Sequence, residues 1–233
     1  MLRCVGTIAI FSMLAITLGT RPAAAEDKPE PGFVPLFNGK DLTGWKVING
    51  KMERWGAENG LMFVQGGGGG WLMTEKEFSD FEVRLEYKMP PAGNSGVAIR
   101  SPLAGDPAYS GMEIQLLDDN AKQYEKLQAW QYTGSIYGVV PPSKRVVKPA
   151  GEWNEIAITA KGRQITVVLN GAKIVDANLD DHKDRVQEDK EKKLPAHPGI
   201  ARPSGHVGLQ SHDGRVEFRN IRIKVLGEAE QKK

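Results

Sequence analysis

The run Phe81-Glu82-Val83-Arg84-Leu85-Glu86-Tyr87-Lys88-Met89 alternates apolar and charged side chains without a break. A strand sends successive side chains to opposite faces, so this period of two buries one face and wets the other. Working outward, Trp153-Asn154-Glu155-Ile156-Ala157-Ile158 reads as a second strand. Ile165–Leu169, Asn170-Gly171 and Ala172–Val175 read as two strands joined by a two-residue hairpin, because Asn-Gly accepts the positive φ angles of a tight turn. Asn-Gly recurs at Asn38-Gly39, Asn49-Gly50 and Asn59-Gly60. Near the C-terminus Val216 and Phe218 keep one phase while Ile221, Ile223 and Val225 keep the other, which predicts a bulge near Asn220. Roughly a dozen short strands, with no helical pattern longer than about three turns between them, predict an all-β sandwich or barrel in one domain and argue against βαβ units. Asp119–Trp130 is expected as a short helix or loop, and the mixed charges of Asp180–Lys193 as a solvated insertion.

Of the 233 residues, 40% are hydrophobic and 26% charged, an ordinary globular balance. The formal charge of +2 is carried by Arg3 and Arg21, inside a first segment without acids. The neutral remainder offers no general attraction to nucleic acid or anionic lipid. Cys4, the sole cysteine, lies in that same segment, which excludes disulfides, thiolate catalysis and Cys-based zinc from the rest. A basic start at Met1–Arg3, an apolar run from Val5 to Leu18 and Ala23-Ala24-Ala25 before Glu26 predict a signal peptide over residues 1–25. The run is too short to cross a hydrocarbon core of about 30 Å comfortably. A soluble mature protein, periplasmic or secreted and free of the membrane, is the expectation. Residues 26–32 are expected as a disordered leader, 33–226 as the sandwich and 227–233 as a tail.

Five consecutive glycines, Gly66 to Gly70, are followed by no Lys-Ser/Thr and no helix, so a flexible loop is expected there rather than a phosphate cradle. The four histidines (His182, His197, His206, His212) lack zinc-helix spacing, and any metal is expected to be a hard cation on oxygen ligands. Three apparent strands carry the informative constellation. In Ser95–Arg100, Met112–Asp118 and His206–His212, period-two alternation allows Arg100, Glu113, Gln115, Gln210 and His212 to share one polar face. Solvated faces usually carry Lys, Glu and Thr. Gln beside Glu, Arg and His instead sets donors and acceptors close together, as a polyhydroxylated ligand requires. Glu113-x-Gln115-x-x-Asp118 has the spacing of the Glu-x-Asp-x-x-Glu strand of sandwich-fold retaining glucanases, but the middle acid is Gln. Ordinary retention needs two carboxyls about 5–5.5 Å apart, so that mechanism is disfavoured.

Seven segments in order then resemble a known family: Phe37–Trp45, Gly93–Arg100, Gly111–Gln115, Thr133–Tyr137, Gly151–Asn154, Gly208–His212 and Val216–Ile221. The chain is similar over about residues 33–226 to the 3-keto-disaccharide hydrolase family, also described as 3-keto-glucoside lyase/hydratase domains. The resemblance implies a concanavalin A-like jelly-roll β-sandwich with the ligand on its concave sheet, export in bacteria and, in some members, a divalent metal cation. It implies a small carbohydrate substrate whose ketone at carbon 3 acidifies the hydrogen on carbon 2, so that a base can drive elimination of the aglycone and water can add back. Glu113, His212 and Asp118 are then the expected proton carriers and Arg100 the expected enolate clamp. Asn94, Gln115, Tyr137 and Gln210 would orient hydroxyls. A non-catalytic carbohydrate-binding module, with Trp71, Trp130 and Tyr137 as platforms, and a conventional glycosidase are the alternatives. The sequence leaves the oligomeric state open.

Overall fold

In the computed structural model, which describes residues 30–190 and 194–227, the Phe81–Lys88 strand is buried at every second position. The described residues from Pro31 onward belong to one compact unit. The expected signal peptide, most of the leader and most of the tail lie outside the described residues. Strands β1 (Val34–Pro35), β2 (Trp45–Ile48), β3 (Trp55–Glu58), β4 (Leu61–Gln65), β5 (Gly70–Phe78), β6 (Phe81–Lys88) and β7 (Asn94–Ser101) precede a four-residue helix, α1 (Pro107–Ser110). Strands β8 (Met112–Leu117), β9 (Trp153–Lys161), β10 (Gln164–Leu169), β11 (Ala172–Asn178), β12 (Gly205–Ser211) and β13 (Arg215–Val225) follow.

The strands form two antiparallel sheets. One runs β11-β10-β9-β6-β13-β4-β3, with β1 added to β13; the other runs β2-β5-β12-β7-β8. The chain passes repeatedly from one sheet to the other, and the facing apolar sides make one core. Val83, Leu85, Ile156 and Phe218 come from the large sheet; Val97, Ile99, Ile114, Leu116 and Leu209 come from the small one. Each such side chain contributes roughly 1.5–3 kcal/mol by leaving water, which is what holds the sheets face to face. The molecule is an all-β jelly-roll sandwich.

Local signals act where the sequence put them. Asn170 (φ 49°) and Gly171 (φ 78°) turn β10 into β11, and the bulge falls at Asn220 (φ 52°), where pairing with β6 shifts between Arg219 and Arg222. Lys122–Tyr124 and Ala129–Gln131 form short 3-10 turns within the loop after β8. The charged insertion differs from expectation. Its 3-10 segment Leu179–Val186 kinks at His182, and Arg185 is buried, donating to Gly138 O (3.3 Å) and Pro195 O (3.0 Å). That guanidinium finds carbonyl acceptors inside the fold, so this part of the run braces a neighbouring loop instead of standing in solvent; residues 191–193 lie outside the described residues.

Candidate functional site

Three adjacent strands of the small sheet, β12, β7 and β8, turn their polar side away from the core. Glu113 and Gln115 stand on β8, Asn94 begins β7, and Gln210 and His212 lie on and just beyond β12. The loop after β8 adds a wall. Tyr137 N–H donates to Glu113 O (2.9 Å), Gly134 N–H to Gln115 O (2.8 Å) and Gln115 N–H to Ser135 O (3.1 Å), so residues 134–137 extend the sheet edge and set Tyr137 opposite Glu113. Together these residues line an open pocket of about 190 Å³. Six expected residues therefore meet: Asn94, Glu113, Gln115, Tyr137, Gln210 and His212.

Arg100 and Asp118 are not among the residues that line it. Arg100 adopts φ 48°, and pairing of β7 with β12 shifts there, so an extra residue reverses the phase on which its expected position rested. Its guanidinium, 1% exposed, donates to Ser79 O (2.9 Å), Gly162 O (2.7 Å) and Asp80 Oδ1 (3.1 Å). It ties β7 to the connection from β5 to β6 and to the β9–β10 turn of the large sheet. Asp118 follows β8 and accepts from Ala92 N at 2.9 Å, while its own N–H donates to Gly93 O (3.0 Å), which closes the turn before β7. Trp71 is no platform either: it is buried with Met73, Ala98 and Ala108 in a second apolar cluster on this sheet.

Three lining residues were missed: Asp106, Ala108 and Tyr109. They come from α1 and its capping residue Asp106, and the helix is too short to show helical periodicity. Its only sequence signal is Asp106-Pro107, a cap followed by proline at the first helical position, and Asp106 Oδ1 indeed accepts from Ala108 N at 3.1 Å.

The electrostatics follow from this enclosure. Glu113 is 3% exposed, and burial, with Asp106 nearby as a second cause, pushes its carboxyl up to about 8. With its amide nitrogen toward that carboxyl, Gln115 donates to Glu113 Oε1 and Ser95 O, both at 3.1 Å. The reverse orientation leaves it a bond of 3.3 Å to Asn94 Oδ1 and sets oxygen against oxygen at Glu113. His212 Nδ1 lies 2.7 Å from Asp213 Oδ2; with the proton on Nδ1 donated to the carboxylate, Nε2 keeps its lone pair. Gln210 Oε1 is buried without a partner, an acceptor available to a ligand's hydroxyl. Behind the wall, fully buried His197 packs edge-on to Tyr109 (5.6 Å between ring centres), and burial holds its imidazole down to about 4, hence neutral. The pocket thus offers a carboxylic acid, a carboxylate-oriented imidazole and several amide and phenol groups, enough for proton transfer on a polyhydroxylated molecule of about one ring. Among the described residues no three His, Cys, Asp or Glu side chains gather to hold a metal ion.

A jelly-roll sandwich with a small polar pocket on its smaller sheet defines the class. The chain belongs to the family of 3-keto-alpha-glucoside-1,2-lyase-like domains, whose sequence profile matches residues 32–224. It is 28% identical over 228 residues to a 3-keto-disaccharide hydrolase of Bacteroides thetaiotaomicron, covering 84% of this chain and 79% of that one. Crystal structures of two glycosyl hydrolase candidates from Parabacteroides distasonis superpose on it. One has a TM-score of 0.71 at 31% identity, over 84% of this chain and 95% of the other. The second has 0.72 at 28%, over 83% and 99%.

Proposed function

We propose that this protein cleaves 3-keto-glycosides, 3-keto-disaccharides among them, by proton abstraction at carbon 2 followed by elimination and hydration. The observation that carries this reading is the pairing, in one pocket, of a buried carboxylic acid with an imidazole oriented by a carboxylate. Family membership and the name of the Bacteroides relative support the substrate class.

His212, oriented by Asp213, takes the proton from carbon 2, and the electron pair moves toward the carbon 3 ketone as an enolate. The enolate re-forms the carbonyl while a double bond forms between carbons 1 and 2 and the bond from carbon 1 to the aglycone oxygen breaks. Glu113, protonated at neutral pH, supplies the proton that this oxygen needs. Water then adds its oxygen to carbon 1 and a proton returns to carbon 2, so the sum is hydrolysis. Tyr137 accepts from Gln131 Nε2 (3.3 Å), which leaves its own O–H free to donate to the enolate oxygen, the role first expected of Arg100. Asn94, Gln115 and Gln210 meet ring hydroxyls. Comparing turnover with and without a chelator tests whether a divalent cation contributes. The basic start, apolar run and Ala23-Ala24-Ala25 support export as the setting.

The test compares a 3-keto-disaccharide deuterated at carbon 2 with the same sugar unoxidised. Cleavage of the keto form with loss of deuterium to solvent is expected, and the unoxidised sugar should remain intact. Full retention of the label would exclude elimination. Equal cleavage of both sugars would restore an ordinary glycosidase, and binding without turnover would leave a binding module.

A further inference from the structure

A pocket of about 190 Å³ is below the 300–1,000 Å³ of typical drug-sized sites, so a disaccharide places one ring inside and the other on the surface beside it. We propose that Trp130 is the platform for that outer ring, a subsite for the leaving sugar next to Tyr137. This rests on the reading that the pocket holds the 3-keto ring.

The geometry points there for three reasons. Trp130 is half-buried and meets the pocket-lining Tyr137 edge-on, with ring centres 5.3 Å apart and planes at 90°. The pair is held as a unit, since Gln131 Oε1 accepts from Gln128 N (3.0 Å) while Gln131 Nε2 donates to the Tyr137 hydroxyl. A ring fixed before binding loses little freedom when a ligand arrives. Third, half-buried rings on the outer side of the large sheet are already covered: Arg84 and Arg222 lie over Phe33, Arg215 over Phe63, and Lys88 and Arg219 over Trp153. Among the described residues no cation lies over Trp130. An indole face carries negative charge density, and the C–H side of a pyranose, slightly positive and apolar, is its natural complement.

The experiment uses the full chain and its Trp130→Ala and Trp130→Phe variants with two substrates, a 3-keto-disaccharide and methyl 3-keto-glucoside. For Trp130→Ala, KM for the disaccharide should rise by about tenfold or more while that for the methyl glycoside stays within about twofold; Trp130→Phe should recover most of the loss. A merely structural role would weaken both substrates alike, and that result, or no change in either, overturns the subsite. If the unsubstituted protein cleaves neither substrate, the 3-keto-glycosidase reading fails by itself, and calorimetric binding of the same two sugars decides the platform. Extra affinity for the disaccharide that Trp130→Ala abolishes supports it; equal affinities, or no binding, overturn it.

Discussion

The Glu113 carboxyl occupies the space above Gly96 on the neighbouring strand: a Cβ built on Gly96 would stand 2.0 Å from Glu113 Oε1. A glycine inside a strand loses packing and costs roughly 0.5–1 kcal/mol relative to alanine. Here it makes the notch that seats the acid. Gly96→Ala is therefore expected to displace the carboxyl while leaving the sheet intact. Turnover should drop by on the order of 10²-fold, as for a misplacement of about 1 Å, and the melting temperature should fall, because the buried Glu113 side chain must shift at Cγ and Cδ (both 2.8 Å from that Cβ) as well as at its oxygen. Kinetics beside a thermal melt check both halves.

On the alkaline side turnover should fall tenfold per pH unit above about pH 8, because the leaving-group acid is lost as Glu113 ionises. The same shift works against stability. The folded value lies above the ordinary 4.5, so between about 4.5 and 8 the unfolded chain holds fewer protons, and stability declines as pH rises through that window. Glu113→Gln removes this penalty. The variant should lose about 10²–10⁴-fold in rate yet be more stable at pH 8, by on the order of a few kcal/mol, with the gain gone near pH 4. Unfolding midpoints measured across pH would reveal it.

Asp106→Asn keeps an N-cap, since the amide oxygen still accepts from Ala108 N, but removes a negative charge near Glu113. The alkaline limb of the rate profile should then move to lower pH while the melting temperature holds. An unmoved limb would show that burial alone sets the acid.

Arg100→Lys should act on the fold and spare the chemistry. The ammonium cannot reproduce a planar fork that reaches Ser79 O, Gly162 O and Asp80 together. A loss of about 1–3 kcal/mol in stability is expected, with kcat of the folded protein within about twofold. A specific fall in kcat would return Arg100 to the active site.

N-terminal sequencing of exported material should begin at or near Glu26. A chain starting at Met1 in a membrane fraction would contradict cleavage.

Local sequence alone determined that Phe81–Lys88 is a half-buried strand, that Asn170-Gly171 turns a hairpin and that Asn220 carries a bulge. These are local consequences of side-chain alternation and of residues tolerant of positive φ, so one chain segment suffices to read them. The same alternation gathered Glu113, Gln115, Gln210 and His212, because β8 pairs with β7 without a shift and Gln210 and His212 both lie beyond the shift in β12 between His206 and Gly208, so each pair keeps phase. It misplaced Arg100, since a single extra residue with φ 48° reverses the phase and nothing in Ile99-Arg100-Ser101 announces it. Only the tertiary structure decided that Asp106 and Tyr109 join the pocket, that Trp130 leans on Tyr137, and that Arg185 is buried against Gly138. Those contacts depend on which loops fold back over the sheet, and on how much water they exclude from Glu113. Pairing and burial between distant segments set both, and the spacing of residues within any one segment does not encode them.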